Sequence, residues 1–264
     1  MQRALARARS VPHVRQSFNW DCGLACTEMA LRALGMRSED CGLRFLRRLC
    51  PSESIWTVDL AYVLHSFGVR CRYLTTQLEV DPAYKEKSFY SATFDTDTVR
   101  VNDLFAQAEG RGVKIEQGSV SEAELVSLLG PRNHLVMALV DRRFLYASKP
   151  ATVSAFVESC FQHLTCRLGP SGYLGHYVLL LEHDAERGGY YIADPGRATG
   201  RGFVHAADLE AARTAHGTDE DILLIPWQQP PLARPEPRPV AARDEGGAAR
   251  STGPAGGASA AAAG

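Results

Sequence analysis

The chain has 264 residues and a formal net charge of −1, and 45% of its residues are hydrophobic and 22% charged. This balance is ordinary for a globular protein. The near-zero charge argues against a nucleic-acid partner, because such partners select a clustered excess of Lys and Arg. No apolar run approaches the ~20 residues of a membrane span. We therefore expect neither nucleic acid nor a membrane as a partner.

The cysteines and the first residues indicate the compartment. Seven cysteines, an odd number without regular spacing, are more typical of reduced thiols than of a disulfide framework. Residues 1–10 lack the apolar segment of a secretory signal. We expect a cytoplasmic protein, with the nucleus as a second compartment.

The composition divides the chain into three parts. Residues 1–11 are basic, and residues 228–264 are rich in Pro, Ala, Gly and Arg. Such a tail cannot bury enough apolar surface to offset its ordering entropy. We predict a flexible basic leader and a disordered tail on either side of one domain at residues 12–227. The Pro-rich start of the tail would suit docking to a partner domain.

Helical periodicity dominates the first half of the domain. Asp21 can cap a helix at residues 22–34, whose leucines recur at helical spacing and which Gly35 can end. The other elements predicted in this half are helices at 58–67, 99–109 and 122–129 and a strand at 69–75.

Strand patterns dominate the second half. The strands are predicted at 135–140, 176–182, 190–193 and 222–225, with a helix at 206–215 before the last. Helices followed by a mostly antiparallel sheet predict an α+β fold. Residues 141–172 have no clear period and predict a long loop or insertion.

One cysteine lies where a helix start would make it reactive. The segment QSFNWDCGLAC places Cys22 at the first predicted helix, where free N–H groups and the helix dipole favour a thiolate. The amide of Gln16 could reach a developing oxyanion beside it. The alternative is that Cys22 is a small buried residue at a helix start.

A base and an orienting carboxylate follow in the second half. His176 begins an apolar strand, and Asp194 ends the next strand before a Pro-Gly turn. Neighbouring strands could hold the two side by side, although a strand-end His and a turn-forming Asp are the alternative. The pattern predicts a catalytic triad of Cys22, His176 and Asp194, with Gln16 as oxyanion donor. Such chemistry requires no metal and no cofactor.

Two other clusters have functional side chains. Cys160, His163 and Cys166 are potential zinc ligands, but a tetrahedral site needs a fourth ligand. Asp219 and Asp221 flank Glu220 just before the last predicted strand, and we interpret this acidic run as a solvated turn.

The triad residues resemble the papain-like superfamily, in particular the bacteriocin-leader peptidases, in which Gln precedes Asp-Cys-Gly and a Gly-His strand and an Asp-Pro turn follow. More closely, the chain resembles the eukaryotic guanylyl-cyclase-domain-containing proteins and the plant soluble guanylyl cyclase-like proteins. This resemblance covers about residues 12–226. The matching segments are residues 20–26, 54–62, 67–69, 94–96, 100–102, 104–108 and 217–223.

The resemblances imply different functions. The papain-like one implies a papain-like cysteine peptidase fold, with the cysteine helix packed on the sheet, and a thiol hydrolase that acts on a peptide or protein. The other implies a guanylyl cyclase that makes cyclic GMP from GTP, although the sequence shows no Gly-rich phosphate loop. A third alternative is a catalytically silent adaptor whose papain-like cleft binds a peptide. The thiol hydrolase is the main prediction.

Overall fold

The computed structural model describes residues 11–50, 52–83, 94–130, 133–147, 173–198 and 200–236. The zinc-ligand candidates Cys160, His163 and Cys166 lie outside these ranges, as do the first ten residues and most of the predicted tail. Within the described ranges the chain is α+β, as predicted, and its strands form one seven-stranded sheet.

The first half contributes six of the described α-helices, and the second half contributes one. The six are α1 (Cys22–Ala33), α2 (Ser38–Cys41), α3 (Leu43–Leu49), α4 (Thr57–Ser66), α5 (Phe94–Gln107) and α6 (Glu122–Leu128), and the seventh is α7 (Ala206–Arg213). The sequence did not predict α2 and α3, which are short and meet at Gly42. A membrane-crossing helix would have to be longer and more apolar than any helix in the described ranges.

Helix α1 lies in the centre of the core, because residues 22–31 are all buried. Gly35 ends it as predicted, with a φ of 101°, and the Met36 N–H donates to the Leu31 carbonyl at 3.0 Å. Asp21 is the N-cap residue, as predicted, but its side chain makes no capping bond to the helix. Its carboxylate instead accepts hydrogen bonds from the loop that precedes the helix.

The strands form a sheet in the order β2-β1-β7-β3-β4-β5-β6. They are β1 (Arg72–Thr75), β2 (Lys114–Gln117), β3 (His134–Asp141), β4 (Gly175–Asp184), β5 (Gly189–Ala193), β6 (Arg201–His205) and β7 (Ile222–Pro226). Strands β1 and β2 pair in parallel, and the other neighbours are antiparallel. The edge strands β2 and β6 escaped prediction because both are partly exposed and lack a long apolar run.

The central strands are buried on both faces, because side chains alternate across a sheet. On β3, Met137 and Leu139 pack into the core that contains α1 and α4, whereas Ala138 and Val140 pack into the core that contains α6 and α7. Each large apolar side chain buried this way stabilises the fold by roughly 1.5–3 kcal/mol. Helix α1 packs against β4, and the Cys26 Sγ of the helix donates to the Tyr177 carbonyl near the start of that strand.

Residues 228–236, the described part of the predicted tail, continue along the domain. The Gln229 side chain accepts from the Arg70 N–H at 2.8 Å. The Ala233 N–H donates to the Phe67 carbonyl at 3.1 Å. This part of the predicted tail therefore packs on the domain.

Candidate functional site

Cys22 begins α1 beneath a loop that Asp21 organises. The fully buried Asp21 carboxylate accepts from the backbone N–H groups of Ser17 at 3.0 Å and Phe18 at 2.9 Å, and it forms an ion pair with Arg47. A Cβ on Gly23 would lie 2.7 Å from a methyl group of Leu60. A side chain at this position would therefore have to displace Leu60. The adjacent Cys22 is 5% exposed.

His176 and Asp194 lie side by side because β4 and β5 are antiparallel neighbours, so the start of β4 meets the end of β5. His176 Nε2 lies 2.7 Å from Asp194 Oδ1. Both side chains are buried. The structure thus brings together the imidazole and the carboxylate that the sequence predicted to be neighbours.

The protonation of this pair follows from its burial and contacts. Burial lowers the pKa of His176, but the charge and hydrogen bond of Asp194, together with hydrogen bonding to Cys22, raise it to about 9. Burial likewise raises the pKa of Asp194, but the charge of His176 and the hydrogen bonds it receives hold that pKa well below its usual range. At neutral pH His176 is therefore an imidazolium paired with the Asp194 carboxylate.

Two further groups hold Asp194. Tyr146 Oη donates to Asp194 Oδ2 at 2.8 Å, and the Gly196 N–H donates to Oδ1 at 2.8 Å. The Arg197 guanidinium lies 5.1 Å from the centre of the Tyr146 ring. Sequence reasoning missed Tyr146 because it lies in the aperiodic segment after β3, where no pattern indicates which side chains contact the core.

Gln16 lies next to this cluster but uses its amide locally. Its backbone N–H donates to the Pro195 carbonyl at 3.0 Å, and its side-chain Nε2 donates to the Phe18 carbonyl at 2.7 Å. Its Oε1 is buried and has no hydrogen-bond partner among the described residues. The role of Gln16 as an oxyanion donor stays a prediction.

Cys26 is a core residue rather than a second site thiol. It is fully buried, and its Sγ donates to the Tyr177 carbonyl at 3.4 Å. Burial, followed by the nearby charges of Cys22 and Asp194, raises the pKa of Cys26 well above its usual value.

A pocket of about 450 Å³ opens beside Cys22. This volume lies within the range of small-molecule sites. Its walls include two indole rings, three carboxyl groups and several small polar groups. The lining residues used below are Trp20, Cys22, Glu53, Ser54, Trp56, Thr57, Tyr177, Asp219 and Asp221.

Asp221 lies in the wall of this pocket and is 5% exposed, so the prediction of a solvated turn is wrong for this residue. Tyr73 Oη donates to Asp221 Oδ1 at 2.9 Å. Burial and then the charge of Asp219 raise the pKa of Asp221 to about 7, against the effect of hydrogen bonds from Thr57, Thr75 and Tyr73. Asp221 can therefore gain or lose a proton near neutral pH.

The turn that carries Asp221 is strained. Asp219 and Glu220 have φ angles of 50° and 53°, which non-glycine residues rarely adopt. The N–H and hydroxyl of Thr76 both donate to the Asp219 carbonyl, at 2.8 and 3.0 Å, and so hold the turn. Such strain is concentrated at functional sites. One sequence signal could have identified this turn: two carboxylates immediately before a buried strand, within a segment that matches the resembled family.

Metal ligands do not cluster in the part of the chain that the structure describes: no group of three or more His, Cys, Asp or Glu side chains there could hold a metal ion.

Comparisons with known proteins identify the family. The model of a family described as guanylylate cyclase matches residues 11–225. A relative from Arabidopsis thaliana, "Guanylyl cyclase 1", is 41% identical over 215 residues, which are 81% of this chain and 75% of the relative.

These matches overturn the main functional prediction. The family and the relative both have a guanylyl cyclase name, so the predicted thiol hydrolase, with its cysteine-peptidase classification, is wrong, and the cyclase alternative is favoured. The resemblance to guanylyl-cyclase-domain-containing proteins is confirmed over nearly the whole predicted domain. The chain belongs to the guanylylate cyclase family.

Proposed function

We propose that the protein is a guanylyl cyclase that converts GTP to cyclic GMP and pyrophosphate. Membership of the family and the 41% identity to a relative of that name support this proposal. The structural observation that carries it is one pocket lined by both Asp221 and Cys22, with the Cys22 thiol hydrogen-bonded to the charged His176–Asp194 pair.

The reaction needs two proton movements. The ribose 3′-oxygen attacks the α-phosphorus of GTP and forms the cyclic phosphodiester, while the bond from phosphorus to the pyrophosphate oxygen breaks. The hydroxyl must lose its proton, and the departing pyrophosphate gains negative charge. A base and an acid in one pocket would serve both needs.

Asp221 is the proposed base. It lines the pocket, and its pKa of about 7 lets it accept the 3′-hydroxyl proton near neutral pH. The hydrogen bond from Tyr73 fixes the carboxyl group, so little reorganisation is needed when it ionises.

Cys22, His176 and Asp194 form the proposed acid. His176 is protonated below a pH of about 9, and its proton reaches the pyrophosphate oxygen through the Cys22 sulfur, because Cys22 both lines the pocket and is hydrogen-bonded to His176. Asp194 orients the imidazole and stabilises its charge. Gln16 is the proposed N–H donor to a phosphate oxygen.

The substrate would be the complex of GTP with a divalent cation. The pocket-lining residues of the described chain include three carboxyl groups and neither Lys nor Arg, so a bare triphosphate would be repelled. Mg²⁺ bound to the phosphates offsets this repulsion and stabilises the charge that develops on them.

We also propose that the fold is of the papain-like type. A helix that begins with the thiol packs on a mostly antiparallel sheet, and the imidazole and carboxylate come from adjacent strands of that sheet. An experimental structure that superposes on no papain-like domain would contradict this assignment.

The test of function measures cyclic GMP formed by the purified full chain from GTP and Mg²⁺. We expect Asp221→Asn and His176→Gln each to lower the rate by about 10²–10⁴-fold, as removal of a general base or acid does. Glu186→Gln, which changes an exposed carboxyl group in the turn after β4, is the matched control and should retain full activity. No cyclic GMP from the wild-type chain, or equal amounts from all variants, would contradict the proposal.

The dependence of the rate on pH tests the assignment of the roles. The rate should rise as Asp221 ionises near pH 7 and fall as His176 loses its proton near pH 9. Outside this window it should change about tenfold per pH unit. The residual activity of Asp221→Asn should lack the acidic limb, and that of His176→Gln the alkaline limb. The opposite assignment of the limbs would exchange the roles.

A further inference from the structure

The two indole rings of the pocket come from different parts of the chain. Trp20 lies in the loop before α1, and Trp56 directly precedes α4. Both are partly buried, and both line the pocket beside Cys22. The chain has three tryptophans, so two of the three lie in this one cavity.

The first indole is held from outside the pocket. The Phe18 ring stacks on Trp20 with centroids 5.6 Å apart and an interplanar angle of 3°. The Arg47 guanidinium lies 4.7 Å from the centre of the Phe18 ring and is itself paired with the buried Asp21. The plane of Trp20 is thus set before any ligand binds.

The loop that carries the second indole is held by a separate network. The backbone N–H of Trp56 donates to Asp59 Oδ2 at 2.9 Å. Arg100 pairs with Asp59 and donates to the Ser54 carbonyl and to Asp97, each at 3.1 Å. The pocket-lining loop at residues 53–56 is therefore tied to α4 and α5.

Glu53 lies in that loop, lines the same pocket and is exposed. An ionised carboxylate offers two acceptor oxygens and no donor. Guanine presents two adjacent donors, its N1–H and its 2-amino group, whereas adenine presents an acceptor at N1. A carboxylate at the edge of a purine therefore pairs with guanine and repels adenine.

We propose that Trp20 and Trp56 form a stacking site for a purine ring and that Glu53 selects guanine over adenine. This inference rests on the proposed function for its choice of ligand. Rings of the indole type stack on any base, so the two tryptophans supply affinity without selecting a base. Glu53 supplies the selectivity, because the wrong base leaves polar groups unpaired.

The test measures binding without turnover. The probes are 3′-deoxy-GTP and 3′-deoxy-ATP with Mg²⁺, which lack the attacking hydroxyl and cannot cyclise, and the readouts are tryptophan fluorescence and titration calorimetry. The wild type should prefer the guanine nucleotide and show quenched fluorescence. Trp227→Phe, which changes the tryptophan outside the pocket lining, should leave the quenching in place.

The variants separate the two parts of the site. Glu53→Gln should lower the preference for guanine about tenfold or more, and the exposed control Glu186→Gln should not change it. Trp20→Leu and Trp56→Leu should each weaken both nucleotides by about 5- to 100-fold, with the preference retained. Melting curves establish that each variant is folded.

The outcomes distinguish this site from the proposed function. Cyclic GMP formation combined with an unchanged preference in Glu53→Gln, or with unchanged affinity in both tryptophan variants, would overturn the purine site and leave the cyclase. Selective binding of 3′-deoxy-GTP without cyclic GMP formation from GTP would support the site and overturn the cyclase. No binding of either probe would overturn the site.

Discussion

Two buried aspartates, one in the pocket beside Cys22 and one paired with His176, have opposite protonation behaviour. Asp194 and Asp221 are 0% and 5% exposed, and burial raises the pKa of both. The pKa of Asp194 is nevertheless held well below its usual range, whereas that of Asp221 is raised to about 7. Burial alone therefore does not decide the charge of a carboxyl group in this protein.

The groups that contact each carboxyl group decide its charge. Asp194 faces the His176 imidazolium and accepts three hydrogen bonds, from His176, Gly196 and Tyr146, so its charge is compensated. Asp221 is next to Asp219, and the side chains that bond to it are neutral hydroxyl groups. A cation fixes one carboxylate as an anion, and a second acid keeps the other poised to exchange a proton.

Removal of the Asp194 carboxylate should have the largest effect on stability. Asp194→Ala leaves His176 buried without its anion, which should lower the free energy of unfolding by about 3–5 kcal/mol in urea titrations near pH 6. Because its pKa is raised on folding, His176 contributes stability that is fully present below its unfolded pKa of 6.5. This contribution is lost as pH rises through about 9. The loss in Asp194→Ala should therefore be smaller at pH 10.

A double variant is the control for that experiment. Once His176→Ala has removed the imidazole, the additional loss from Asp194→Ala should be clearly smaller than the loss in the wild type. Equal losses in the two backgrounds would mean that the pair is not coupled and that the contrast between the two aspartates has another cause.

Replacement of Asp221 should have the opposite sign. Because the pKa of Asp221 rises from 3.8 to about 7 on folding, ionisation destabilises the fold, and wild-type stability falls between about pH 4 and pH 7. Asp221→Asn keeps a polar group but does not titrate. Relative to the wild type, it should gain up to about 4 kcal/mol of unfolding free energy between pH 4 and pH 8, measured by urea titration. A variant that loses stability over this pH interval would contradict the assignment.

The sequence predicted one side of this contrast and missed the other. His176 and Asp194 lie on strands joined by a tight hairpin, only 18 residues apart, so an apolar pattern with a polar residue at each end was enough. Asp221 meets Tyr73 across 148 residues of chain, and the strain at Asp219 and Glu220 leaves no mark in the local pattern. The prediction of a solvated turn failed because burial here comes from distant elements.

The chemistry was harder to predict than the fold. A thiol, an imidazole and a carboxylate in the right order are compatible with hydrolysis, and only the family comparison opposes it. The pocket itself is lined by Leu139 and by segments at residues 19–22, 53–57, 175–177 and 219–221, which the sequence pattern could not bring together. Long-range contacts therefore set the limit of what the sequence alone could predict.

The smallest expected effect comes from Tyr146, which supports Asp194 from the side away from His176. Tyr146→Phe removes the hydrogen bond to Asp194 Oδ2, and loss of a bond to a charged group should lower the free energy of unfolding by roughly 1.5–3 kcal/mol. Tyr62→Phe is the matched control: its hydroxyl donates to the neutral Leu104 carbonyl, so its loss should be only about 1 kcal/mol. Without this hydrogen bond the charge of Asp194 is less compensated, which changes how strongly that carboxylate stabilises the His176 imidazolium. The alkaline limb of the cyclase pH profile should therefore shift in Tyr146→Phe and stay in place in Tyr62→Phe. If both variants lose the same stability and neither shifts the limb, Tyr146 is a packing residue, and His176 with the Gly196 N–H suffices to keep Asp194 ionised.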